Sequence, residues 1–196
     1  MTDAALSFVA IVEAAAARAN TVRWLERAVI GLNLCPFAKA PHVKRQIHCA
    51  VFPEVDDAGL MDALLAEAAD LMALAPSQRE TTLLLVPNTL CDFLMFNDFT
   101  RRAERQLARA GHDGVLQLAS FHPGFEFAGS APGDITNVTN RSPHPTLHLL
   151  REASISRAVA AFPDADAIGV RNMATLEALG AAGWAALQVG AGEGLE

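Results

Sequence analysis

The sequence predicts an α/β fold: a small three- or four-stranded sheet with helices packed on it, βαβ-type or ferredoxin-like, plus a long ordered loop and C-terminal helices. Three observations carry this. Residues 46–52 alternate, 81–86 (TTLLLV) are almost wholly apolar, and 114–120 (GVLQLAS) form a third run of strand length. The segments between them place apolar residues at helical spacing. Strands separated by helices of that length favour crossover connections over a shared sheet.

The elements follow in order. A helix is expected over 3–18, and a second one from an Asn20-Thr21 cap, with Val22, Leu25, Val29 and Leu32 on one face and Pro36 ending it. After the first strand, Asp56-Asp57 caps a helix whose stripe includes Leu60, Leu64, Ala68 and Leu71. Asn88 is the expected cap of the next, bearing Phe93, Phe96, Ala103 and Leu107 and closed by Gly111 at the position that favours a left-handed residue. Residues 121–144 then lose all periodicity. A loop that long inside a folded domain is usually functional or disordered, and Phe121, Phe125 and Phe127 argue for order. Pro145 suits the first turn of a helix running to about residue 161. Short helices follow from Asn172, broken near Gly180 and Gly183, and a loose tail over 189–196. No repeat or linker divides the chain, so residues 1–196 read as one domain.

Composition narrows the functional classes. The 196 residues are 52% hydrophobic, enough for a sizeable core without staples, and the net charge is −7. Arg101-Arg102 and Lys44-Arg45 are isolated basic pairs, not the stripe that a nucleic-acid partner requires. Asp3 and Glu13 interrupt an N-terminus that is too short to span a bilayer and lacks a basic leader. The three cysteines, Cys35, Cys49 and Cys91, suggest no disulfide framework, so the expected compartment is a reducing cytoplasm. The expected partner is a small, anionic molecule, without nucleic acid or membrane; the pattern does not reveal the oligomeric state.

The phrases GLNLCPFA (31–38), SFHPGFEFAG (120–129) and TNRSPHPTLHLLREAS (139–154) make the chain resemble a bacterial family known as domain of unknown function 1415, over roughly residues 21–180. The resemblance implies no activity and lends no catalytic residue, so the chemistry rests on the residues themselves.

Three constellations could carry that chemistry. Read as a helix, 145–161 gathers His148, Ile155 and Val159 on one arc, with Glu152 at its edge and Arg151 between Leu147 and Ile155. Charges on an apolar arc need partners. His148 and Glu152, four residues apart, with His122 from the end of the third strand, would form a two-histidine, one-carboxylate site for Fe, Mn or Zn; the plain alternative is a solvated hydrogen-bonded pair. The second constellation is a metal-free anion site at the start of the same helix, where Asn140, Arg141 and Ser142 meet free N–H groups and Arg151 follows. Its alternative is Arg141 pinning the loop by pairing with Asp134 or Glu126. The third is Cys35, a nucleophile, a redox thiol or, remotely, a haem ligand, against the reading of a buried structural thiol. The Walker, GxGxxG, GxSxG and HExxH patterns are all missing. These readings lead to a small-molecule enzyme, a metal-dependent oxidoreductase or hydrolase with an acidic substrate held by Arg141 and Arg151. The competing reading is a non-catalytic ligand-binding or regulatory domain.

Overall fold

The computed structural model describes residues 3–162, 164 and 167–191. The elements are α1 (Asp3–Trp24), α2 (Lys39–Val43), β1 (Ile47–Val51), α3 (Asp57–Ala73), β2 (Thr81–Leu85), α4 (Phe93–Leu107), β3 (Leu116–Phe121), β4 (Thr146–Arg151), α5 (Glu152–Ala160) and α6 (Ile168–Ala186). A π-helical stretch, Leu25–Ile30, extends α1, and a 3-10 helix, Ile135–Asn140, lies within the long loop.

The fold is α/β, with one four-stranded mixed sheet in the order β1-β2-β4-β3. Strands β1 and β2 are parallel neighbours joined through α3, the expected βαβ unit. Strand β4 runs antiparallel to both of its neighbours, β2 and β3. The segment expected to be a helix after Pro145 is therefore a strand. Its true period is two: Leu147 and Leu149, both fully buried, point to one side, and His148 and Leu150 to the other. Pro145 immediately precedes this strand, where its missing donor costs nothing, and its carbonyl accepts from Val86 N–H. The helix starts only at Glu152, whose N–H donates to Val115 O. Residues 125–128 in the long loop form irregular chain and a turn and add no edge strand to the sheet.

The two faces of the sheet are covered differently. On one, Ala50, Leu84, Leu147, Leu149 and Leu116 pack under Leu60, Leu64, Ala68 and Leu71 of α3 and Phe96, Phe99, Ala103 and Leu107 of α4. This is the main core, and each fully buried Leu contributes about 1.5–3 kcal/mol. The other face, with Ile47, Leu83 and Phe121, meets α1 and its π-helical extension.

Local signals held in part. Asp56 caps α3 through Ala58 and Gly59 N–H groups, as expected. Gly111, with φ of 89°, supplies the left-handed turn after α4. Asp92, however, caps α4 by accepting from Met95 N–H, while Asn88 ties Pro53 O and Glu13. Asn20 caps nothing. Helix α1 runs through it without a break, because its side chain has a distant partner, Ala191 O at 2.6 Å. That bond, with Val189 buried beside Trp24 and Leu25, also holds 189–191 in place, so the loose tail expected from 189 is packed at its start; 192–196 lie outside the described residues.

Arg151 locks α3 to the sheet. Its Nη2 donates to Leu71 O at 2.5 Å, Leu74 O at 2.7 Å and Arg79 O at 3.1 Å, satisfying carbonyls at the end of α3 and in the turn beyond it. Arg151→Ala is expected to cost about 2–4 kcal/mol in urea unfolding, since buried acceptors lose their charge-assisted donor, with Arg151→Lys recovering part of the loss.

Candidate functional site

The parity of the strands decides where the sequence-derived candidates lie. His148 faces the α1 side of the sheet, in register with Leu83 and Ala119. His122 follows Phe121 at the end of β3, and so turns to the opposite face, against Phe93 and Phe96 with ring centroids 5.4 and 5.0 Å away. Both of its nitrogens are engaged. Gly124 N–H donates to Nδ1 at 3.0 Å, which leaves the proton on Nε2 to bond Leu90 O at 3.1 Å. Leu90 has a φ of 56°, a strained value for leucine that this bond helps hold. Glu152 opens α5 and shares no helix with His148. The expected set of His122, His148 and Glu152 is thus not brought together, and no group of three potential ligands converges on a metal-sized position among the described residues.

The anion site built on a Pro145 helix loses its helix N-terminus. Asn140 O accepts from His122 N–H, and Ser142 Oγ donates to His144 O at 2.5 Å. Arg141 pins the long loop through carbonyls, Phe125 O at 3.0 Å and Pro132 O at 3.4 Å, instead of pairing with Asp134 or Glu126. The loop is ordered, as its aromatics suggested: Phe93, Phe125 and Phe127 pack in sequence, tilted and then edge to face, with centroids 5.1 and 5.0 Å apart. Fully buried Asn137 is its organising residue, accepting from Phe127 N–H and Ser130 Oγ and donating to Ala131 O. Nothing in the spacing of ITNVTN marks that role.

Around His148 the structure forms a cavity of about 150 Å³ between β1, β2 and β4 and the α1 layer. Its walls are apolar: Trp24, Leu25, Val29, Phe37, Ile47 and Phe121. The phrase LCPF supplies one wall: the helical course ends at Ile30, before the expected Pro36, in a turn where Asn33 adopts a φ of 55°, and this lets Cys35 and Phe37 return to the sheet. Thr81 Oγ1 donates to Leu149 O at 2.6 Å, which spends its only proton, so it accepts from His148 Nε2–H at 2.7 Å. The imidazole is therefore fixed with its proton on Nε2, and Nδ1 has no hydrogen-bond donor among the described residues. Burial pushes His148 down to about 4, so the ring is neutral at physiological pH. Phe121 contacts it at 6.1 Å between centroids and is braced by Trp24 at 5.2 Å.

Cys35 stands in the same wall. Burial raises its thiol, and the N–H groups of Phe37 and Ala38 offset this only in part, so it is a thiol, not a ready thiolate. All three cysteines are free. The cavity beside Cys35 is sized for a single ring, not for a tetrapyrrole. Arg151, despite touching the cavity, spends its guanidinium on the carbonyls behind the sheet.

The depressed His148 gives a signed pH effect. The unfolded chain binds its proton first, so stability falls as pH drops from about 6.5 toward 4, by up to on the order of 3 kcal/mol. His48, His122 and His144 are also lowered, chiefly by burial. His148→Leu is expected to flatten the unfolding free energy over that pH interval relative to the parent, measured by urea titration at stepped pH.

No helix among the described residues is long and apolar enough to cross a membrane. No curated protein and no solved structure matches the chain. A family model described as a protein of unknown function, DUF1415, matches residues 16–186, most of the chain. The resemblance carried by GLNLCPFA, SFHPGFEFAG and TNRSPHPTLHLLREAS is thereby established, and the chain belongs to the DUF1415 family of proteins of unknown function.

Proposed function

We propose that this protein binds a small, mainly apolar molecule carrying one hydrogen-bond donor in the cavity between the sheet and α1. The observation that supports this is the neutral His148 ring, whose Nδ1 is left without a protein donor in an otherwise apolar chamber. Nδ1 is an open acceptor in an apolar chamber, and a ligand donor that meets it there gains a net hydrogen bond. A cavity of about 150 Å³ accommodates a single aromatic ring. Trp24 and Phe121 offer that ring aromatic faces and edges. This favours the ligand-binding reading of the sequence over the metal-dependent one, whose three residues the fold separates between two faces and a helix start.

The test compares phenol with benzene and toluene by thermal shift and by NMR of the His148 ring. Phenol is expected to bind about tenfold more tightly than benzene, the worth of one buried hydrogen bond. His148→Leu is expected to abolish that preference while retaining benzene binding. Equal affinity for phenol and benzene in the parent protein would overturn the role given to Nδ1, and failure of all three to bind would overturn the site.

A further inference from the structure

A second concavity, of about 450 Å³, lies between the long loop, the C-terminal half of α6 and residues 189–191. It shares no lining residue with the His148 cavity. Its walls combine an apolar side, Ile135, Val138, Trp184 and Val189, with two opposite charges, Asp134 and Arg141.

Both charges are held in place, and neither is neutralised. Asp134 accepts from Thr136 N–H and Thr136 Oγ1, each at 2.8 Å and each at the same oxygen, Oδ1. Its Oδ2 is left over, and the two bonds hold the carboxyl below the usual carboxylate range, so it is ionised. Arg141 donates from Nε and Nη2 to Phe125 O and Pro132 O, which fixes the guanidinium plane and leaves Nη1 unspent. Among the described residues, no ion pair joins Asp134 to Arg141 and none joins either to another side chain. Two opposite charges, each without a counter-charge, thus line one open groove.

We propose that this groove is a binding site for a small zwitterion, an α-amino-acid-like molecule with an apolar side chain. Its carboxylate meets the free edge of Arg141, its ammonium meets Asp134 Oδ2, and its side chain lies on Trp184 and Val189. A simple carboxylate or phosphate would satisfy Arg141 but bring like charge toward Asp134, and a simple amine would do the reverse. Only a ligand carrying both signs completes both walls. The volume suits a branched amino acid, being within the range of small-molecule pockets.

The experiment is an NMR titration of the full chain with L-leucine, 4-methylpentanoate and 3-methylbutylamine, following the Arg141 Nε–H and Trp184 indole N–H signals. Leucine is expected to shift both, and to bind at least about tenfold more tightly than either single-charge analogue, the worth of one charge-assisted contact. Asp134→Asn keeps the Oδ1 acceptor for Thr136 and removes only the charge; it is expected to weaken leucine about tenfold without changing 4-methylpentanoate. Arg141→Lys, which keeps the charge and loses the fork, is expected to weaken leucine and 4-methylpentanoate alike. The proposal is overturned if 4-methylpentanoate matches leucine, which would make the groove a plain anion site. It is equally overturned if Asp134→Asn binds leucine unchanged, or if leucine at tens of millimolar shifts neither reporter group.

Discussion

Strand β4 hydrogen-bonds to β2 along one edge and to β3 along the other, and it is the only antiparallel member among otherwise parallel strands. Its register fixes which side chains see which layer. Leu147, Leu149 and Arg151 face α3 and α4; His148 and Leu150 face α1. A slip of one residue would send the imidazole into the main core and two leucines into the cavity, exchanging every side chain between layers. The cavity, the orientation of His148 and the seat of Arg151 all depend on that pairing.

Many polar residues that look chemical in the sequence serve the backbone. Arg151 satisfies carbonyls where α3 ends, His122 bridges Gly124 N–H and Leu90 O, and Asn137 gathers the turns of the long loop. The physical cause is common to all three. A long irregular loop and a helix end packed against a sheet leave buried peptide groups without ladder partners, and side chains must meet them. Arg79 is likewise spent internally, though on side chains, donating from Nε to Thr82 Oγ1 while pairing with Glu67. Such residues are buried and polar for the same reason that catalytic residues are, so burial of a polar side chain alone does not identify a reaction.

What distinguishes His148 is an asymmetry. One ring nitrogen is committed to Thr81 and the other is not, and the uncommitted one lies in a chamber lined by Trp24, Val29, Phe37 and Phe121. The groove at Asp134 and Arg141 shows the complementary condition, charges fixed in place by neutral partners and left without counter-charges. Each leaves a polar or charged group at a concavity without a protein partner, where a ligand can meet it.

The sequence by itself determined the α/β class, three of the four strands, the Asp56 cap, the Gly111 turn and the packing of the long loop through its aromatics, because periodicity, capping and turn chemistry act over a few residues. It also made His148 and Arg151 conspicuous, as polar groups within an apolar run. Only the tertiary structure decided that the run TLHLLR is a strand, since its leucines suit either period and the vacancy between β2 and β3 chose two over 3.6. That choice parted His122 from His148 and set His148 opposite LCPF, a segment more than a hundred residues away in the chain. It likewise decided that Asn20 reaches Ala191 instead of capping a helix. Contacts between distant segments have no local signature, because a side chain's partner across the sheet is set by register and layer, not by its neighbours in sequence.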